Sequence, residues 1–553
     1  MKFILTIFLL TFSFAARSQA PPWVWGRQGM GGAEGLAVTT DTSGNVYEAG
    51  GFGDSSFNAS ISFDTVTLQS FRYGGAYLVK YDAAGNFLWA RGSNGPAIAY
   101  HLATDAQQNV YMMGTADDSV LIFGNDTLPI YFMYTDIFLV KYDAAGNELW
   151  ARTVRGTSQE YPGSVATDPF GNVFINGITF SDSLVLGNMI IDSVAWNSVF
   201  TAKYDNSGNL QWVRTSQDSV TASAAGLVCD SSGNVYTEGY FNSDSITFGQ
   251  HTLLNADQIN GSDLFLVKYD PAGNVIWAHR DGVGNEGEES YAVSSRCTNR
   301  ILITGIFGGT GPWNFGVSNL NSTSTNGDFF LASYDTAGNP LWATQSSGMT
   351  AFGFCVDEDH SGTIYVSGGV DVPGTLIMGS QWLFYSSVSD QSFIASFNAS
   401  GNPAWAKYAS AGGDDQNAIA AGNSGDVFFS GDFIADPTVF GTDSLHNNGW
   451  GEVPFVAKLG NTEVGIPVNV FTNSATVFPN PFSSAATIQL KNELHSGKLL
   501  IYDVYGKEIE TEDGVNGSTI SISRNNLPAG IYFFRIDENN KILASGKFTV
   551  LDR

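Results

Sequence analysis

The sequence predicts an all-β protein: a seven-bladed β-propeller closed by its N- and C-terminal strands, followed by a small immunoglobulin-like β-sandwich. Three observations carry that expectation. A tryptophan motif recurs at Trp25, Trp89, Trp150, Trp212, Trp277, Trp342 and Trp405, in steps of 64, 61, 62, 65, 65 and 63 residues. A second motif, DTSGNVYEAG from Asp41, returns as DAQQNVYMMG, DPFGNVFING, DSSGNVYTEG, RCTNRILITG, DHSGTIYVSG and GNSGDVFFSG. Finally, the first unit supplies only a tryptophan strand, WVWGRQG, and the last only VPFVAKLGN, so the two fragments complete one blade. Four strands per unit in a fixed period mark a propeller. One small sheet cannot bury both its faces until neighbours stack on it, and a ring supplies neighbours to every sheet.

The bulk composition agrees. At 553 residues the chain exceeds one simple core. Its 63 glycines and 39 phenylalanines indicate turns and aromatic strands rather than long helices. Charged residues make up only 14%, against about 25% in typical soluble domains. Acids outnumber bases 53 to 25, a net charge of −28. Such a surface repels phosphate backbones, which argues against nucleic-acid binding. It suits an extracellular protein, or one that meets cations or basic partners.

Taken in order, the chain opens with MKFILTIFLLTFSFAARSQAPP. A lysine, an apolar run from Phe3 to about Leu10 and small residues afterwards predict a signal peptide over residues 1–20. Cleavage after Ala15 or Ala20 is open, since Ala20 would leave Pro21 at the new terminus. No cysteine lies near this point, against a lipid anchor, and no later segment is apolar enough for a transmembrane span.

Residues 22–461 form the propeller, each period holding two hairpins of the types GLAVTTDTSGNVYEAGGF and AYLVKYDAAGNFLWARG. In the DAAGN turn, Asp82 caps amides two or three residues ahead, Ala83 and Ala84 make a type I turn, and Gly85 takes a left-handed conformation. A calcium loop needs oxygen-bearing side chains where these alanines stand, so the motif reads as a turn. Between the hairpins, IFGNDTL, TFGQHTL, NFGVSNL and VFGTDSL, with the glycine-less SFDTVTL, predict a short extra hairpin. Taken together, the repeats resemble the SBBP repeats of secreted bacterial proteins. The fifth copy departs from that pattern, with Arg296 in place of the acid and the glycine lost.

After a linker at 462–476, residues 477–553 carry VFPNPFSSAATIQL, LLIYDVYGKEIE and LPAGIYFFRI, whose alternating hydrophobes and turns predict the sandwich. Pro479, Asn480 and Pro481, the YDVYGK segment from Tyr502 and the LPAGIY segment from Leu527 resemble the C-terminal sorting domain of type IX secretion substrates in Bacteroidetes. The resemblance implies the type IX secretion machinery as a partner and a secreted or outer-cell-surface location. It also implies removal of the sorting domain, with release of the cargo or attachment to surface polysaccharide. Triplets such as Asp182-Ser183-Leu184 and Asp244-Ser245-Ile246 resemble O-glycosylation sequons of the same group, although turn chemistry explains them equally.

Catalytic signatures are scarce. Six histidines show no zinc-ligand spacing, and no nucleophile elbow, Walker loop or dinucleotide fingerprint occurs in a suitable context. Cys229, Cys297 and Cys355 are too few and too scattered for a disulfide framework and read as small buried hydrophobes. All the D-x-x-G-N turns fall on one face of the ring, so a site belongs on the other. There Glu34, Glu289 and Asp415 share one position of the innermost strand, and Glu160, Glu288 and Asp414 the position before it. These six carboxylates are the candidate ligand-binding set at the channel mouth, against the plainer reading that an acidic protein has acidic loops. No cofactor is expected, calcium being the one that stays open. Asp357, Asp359 and Ser361 alternate before Gly362 as calcium ligands would, but the distal position is Gly368, which removes the bidentate glutamate. Aromatics in the inter-hairpin connections, Phe132, Tyr134, Trp196 and Tyr385, suit either sugar stacking or packing over the blade edge.

The resulting expectation is a secreted or surface-displayed binding or scaffold protein of unknown ligand. The alternative is an extracellular polysaccharide lyase or hydrolase that uses the channel-mouth carboxylates.

Overall fold

The computed structural model describes residues 20–460 and 475–551. Excluded are connections at 54–58, 71–73, 118–119, 131–132, 193, 218–221, 256–260, 282–287, 295–299, 310–311, 325, 372, 386–391, 410–416, 423–424, 450, 504–507, 525–526 and 539–540. The chain divides into two compact units, Met1–Thr462 and Glu463–Arg553. The signal-peptide expectation and most of the linker lie outside the described residues.

Seven antiparallel four-stranded blades make up the first unit. In blade 1, from the centre outward, the strands are Ala33–Thr40, Val46–Phe52, Gly75–Tyr81 and Phe87–Gly92. Blades 2 to 7 begin at Ala97, Glu160, Ala222, Glu288, Ala351 and Ala418, and these innermost strands pack on one another around the ring. The second and third strands of blade 1 are buried at every position, because neighbouring blades cover both faces. Closure follows the phase of the repeat. Trp23–Gln28 pairs with Val453–Leu459, Gly26 opposite Ala457, as the outermost strand of blade 7.

Each turn of the opening type is built alike. Asp82 Oδ1 accepts the amides of Ala84 (2.9 Å) and Asn86 (2.8 Å), while its Oδ2 accepts the Asn86 side chain (2.8 Å). Gly85 sits at φ +81°. The caps therefore reach two and four residues ahead, and the asparagine of the motif closes the loop from its side chain.

The repeated tryptophan strand clasps the next blade. Trp89 Nε1 donates to Ala144 O (3.2 Å) and Arg91 Nε to Gly146 O (2.6 Å), both in the DAAGN turn of blade 2. Lys80 adds a bond to Ala144 O (3.1 Å) and a buried ion pair with Asp41 (3.4 Å). At the closure the same clasp is assembled from the two ends of the propeller: Trp25 and Arg27 with Lys458, all on the Ala83–Gly85 turn. Blade 5 has Ser333 and Thr344 in place of this lysine and arginine. Arg300, from its second strand, takes over and bonds Ala399 O (2.7 Å), Gly362 O (2.9 Å) and the buried Glu358 carboxylate of blade 6.

Among the described residues seven short hairpins, the first Ala59–Phe63 with Val66–Ser70, occupy the inter-hairpin connections. They stitch blades together, since an extension of one outermost strand bonds the hairpin of the next blade. Asn94 pairs with Ile122, Ser347 with Ile377, and Val154–Gly156 with Leu184–Leu186.

The second unit is immunoglobulin-like. Its strands Thr476–Phe478, Ala485–Tyr502, Glu508–Ser523, Gly530–Glu538 and Lys541–Val550 bury a core that includes Ile488, Leu499, Ile520, Phe534 and Phe548.

Candidate functional site

A β-bulge shapes the inside of the ring. The innermost strands of blades 1 to 6 each slip register once, between Gly35 and Ala37, Ala99 and His101, Pro162 and Ser164, Ala224 and Gly226, Ser290 and Ala292, and Gly353 and Cys355. The extra residue is left unpaired and bends the strand. Leu36, Tyr100, Gly163, Ala225 and Phe354, released in this way, line the central channel. Opposite each bulge stands the glycine of the VYEAG motif. A Cβ at Gly50, Gly114 or Gly239 would lie 1.8, 1.9 or 1.9 Å from the carbonyl oxygen of Glu34, Ile98 or Ser223. That glycine reports the bulge, and hence the channel lining, in the sequence.

The channel encloses about 530 Å³, and its described lining contains no Asp, Glu, Lys or Arg. Tyr100, Tyr161, Tyr240 and Phe354 give it aromatic walls. His101 lies half-buried beside Tyr100, ring centroids 6.4 Å apart, and burial pushes its pKa down to about 4, so the imidazole is neutral. Cys355 donates to Ile419 O (3.5 Å), and burial pushes its thiol up to about 11, which makes it a poor nucleophile. From the wall, Tyr161 meets Phe180 edge-on (6.0 Å, 90°), and Phe180 meets Trp196 (5.4 Å, 73°). Trp196 is 58% exposed, so an aromatic path leads from the channel to the surface.

The six carboxylates of the sequence-based set have different fates. Glu34 is exposed and lines a depression of about 310 Å³ together with Asp117 and Glu452. Glu160 is fully buried, where its Oε1 accepts Thr179 Oγ1 (3.0 Å) and Ser181 Oγ. Burial pushes it up to about 8; the two hydroxyls oppose that shift, and the neighbouring Asp136 carboxyl of blade 2 adds to it. Glu160 is therefore a protonated link between blades 2 and 3 rather than a group offered to a ligand at the mouth. Glu288 and Glu289 pair through their backbones with Phe307 and Ile306, and their side chains lie outside the described residues, as do Asp414 and Asp415 entirely.

Asp357 and Asp359 face different partners. Asp357 Oδ2 accepts the Ala421 amide of blade 7 (2.9 Å). Asp359 caps its own turn through the Ser361 (2.8 Å) and Thr363 (3.0 Å) amides and accepts the Ser361 and Tyr365 hydroxyls. Among the described residues no three His, Cys, Asp or Glu side chains are placed to hold a metal ion.

Several buried acids escaped sequence reasoning, among them Glu48, Glu238 and Glu358. Glu48, on the second strand of blade 1, accepts Tyr77 Oη (3.0 Å), and burial pushes it up to about 8. Its place in an otherwise apolar strand, VYEAGGF, was the available signal.

Residues 476–550 match the family described as the secretion system C-terminal sorting domain. This domain marks proteins exported by type IX secretion, and the chain is directed to the cell surface or the extracellular space. A WD repeat-containing protein of Acanthamoeba polyphaga mimivirus is 25% identical over 377 residues, which are 55% of this chain; the chain spans 27% of that relative's length. Solved structures similar to the chain include a protein of unknown function from Bacteroides caccae, 7% identical, covering 66% of this chain and 93% of that one, with TM-score 0.29. A europium-containing methanol dehydrogenase is 9% identical, with coverages of 80% and 93% and TM-score 0.33. Likenesses this distant carry no argument about activity.

Proposed function

We propose that the exported propeller is a binding module that takes an extracellular ligand on the face carrying the extra hairpins, at the channel mouth. The observation that supports this reading is the aromatic path Tyr161–Phe180–Trp196, which joins the channel wall to an exposed indole. Large rigid aromatics held at a surface give contact area with little entropy to lose, and their faces stack on sugar rings. The propeller is read as SBBP-type over residues 22–461, behind a signal peptide at 1–20. The sorting domain is read as a detachable address, removed as the cargo is released or joined to surface polysaccharide.

A glycan array probed with the full chain tests the binding reading. Binding that drops at least about tenfold in Trp196→Ala supports it, whereas binding indifferent to that change sinks it. The enzyme reading draws on a different observation: Glu34, Asp117 and Glu452 line one depression. A polysaccharide hydrolysis screen decides it, since product release lost in Glu34→Gln would place catalysis there.

A further inference from the structure

We infer that the central channel is a pocket for an uncharged, mostly apolar small molecule, with one hydrogen-bonding group of that molecule placed at His101. This rests on the reading that ligands enter from the channel mouth, and it names the chemistry of one of them.

The volume comes first. About 530 Å³ falls inside the range of small-molecule sites, roughly 300–1,000 Å³. In a chain of net charge −28, a wall without a single described charged side chain is a strong departure from the rest of the surface. An ion entering it would lose hydration with no described side chain of opposite charge to replace it, which selects for neutral molecules.

The space is built into the repeat. At the equivalent bulge position blades 1, 2 and 6 carry Leu36, Tyr100 and Phe354, whereas blades 3 and 4 carry Gly163 and Ala225. Among the described lining, room is thus left beside blades 3 and 4, facing these bulky walls; Tyr291 holds the position in blade 5, and its side chain lies outside the described residues. Gly163 admits no side chain, because a Cβ would stand 2.3 Å from Ala224 O.

Polarity is concentrated at one point. Where blades 1, 3, 4 and 6 have Ala37, Ser164, Gly226 and Cys355 after the bulge, blade 2 has His101. Its imidazole has no hydrogen-bond partner among the described residues and lines the cavity beside Tyr100. A neutral imidazole offers one donor and one acceptor, so it recognises a hydroxyl, amine or carbonyl on an otherwise apolar molecule.

The test titrates the full chain with N-phenyl-1-naphthylamine, a neutral fluorophore with one N–H that brightens in apolar sites. Its anionic counterpart, 8-anilinonaphthalene-1-sulfonate, is the control. The inference expects one saturable site for the neutral probe and at least about tenfold weaker binding of the sulfonate. Ala225→Phe, which fills the open side, abolishes binding while the circular dichroism spectrum and melting temperature hold. Leu36→Trp replaces it should that variant not fold. His101→Leu weakens the neutral probe by about 2- to 10-fold, the worth of one hydrogen bond. Trp382→Ala, on an exposed apolar hairpin of blade 6, leaves binding unchanged. Absence of a saturable site, equal binding of the sulfonate, or loss with Trp382→Ala instead of Ala225→Phe overturns the inference. Probe binding without glycan binding would count against the glycan reading alone. Glycan binding through Trp196 without probe binding would overturn this inference and leave the binding face standing.

Discussion

Trp89 of blade 1 lies against Gly146 of blade 2 so closely that a Cβ on the glycine would stand 2.8 Å from the indole. The same pair recurs as Trp25 with Gly85, Trp150 with Gly208, Trp212 with Gly273 and Trp342 with Gly401. Within one turn the glycine thus does two jobs. Its φ of +79° completes the loop, and its bare face admits the neighbour's tryptophan.

Gly146→Ala is expected to destabilise the propeller by roughly 1–3 kcal/mol through left-handed strain alone, with the displaced indole adding to that. Lower melting temperature at a fixed scan rate is the readout. An unchanged melting temperature would mean that the clasp contributes nothing to blade cohesion.

Arg300 holds the junction where the clasp keeps its tryptophan, Trp342, but lacks its lysine and arginine. Arg300→Ala leaves Glu358 buried without its ion-pair partner, and a loss of about 3–5 kcal/mol is expected. The double change Arg300→Ala with Glu358→Gln should recover part of it, because the uncompensated charge is gone. Failure of the second change to restore any stability would show that the bonds to Ala399 and Gly362 matter more than the ion pair.

Glu48 and Glu160 set the sign of the pH dependence. Both are pushed from 4.5 up to about 8, so between those values the folded chain keeps protons that the unfolded chain releases. Stability therefore falls as pH rises from about 5 to 8. Asp281, pushed by burial to about 7, contributes in the same direction. Melting scans at pH 5.5 and 8 should show the drop, and Glu160→Gln should reduce it. A wild-type melting temperature that rises over this range would refute the assignment.

Gly114 faces the bulge at Tyr100. Gly114→Ala puts a methyl group 1.9 Å from Ile98 O, so the bulge must open or the strand must shift. A cost above about 2 kcal/mol is expected, at the severe end for a single methyl. In the same variant Tyr100 and His101 are displaced, so binding of the neutral probe should weaken more than stability alone accounts for.

Much of the fold was legible because a propeller repeats its local chemistry. Asp82, Gly85 and Asn86 act within one turn, and turn residues act on their own backbone wherever they occur. The half-blades at Trp25 and Val453 were legible for a related reason, since a missing strand can be counted in a sequence. The candidate site was less legible. Glu34 and Glu160 occupy nearby registers of equivalent strands, yet one meets solvent and the other is sealed against Asp136. Register fixes which residue sits at a position, while exposure depends on how the adjacent blade covers it.

The sequence alone determined the blade number, the closure, the sorting domain and the turn chemistry, all of which follow from spacing and from short-range backbone preferences. Only the tertiary structure decided what each tryptophan touches, that Arg300 substitutes for two absent side chains, and that the described channel lining is uncharged with free space beside Gly163 and Ala225. Those are contacts between residues some fifty or more positions apart. Their distances depend on how seven sheets pack around an axis, and no local preference of the chain specifies that packing.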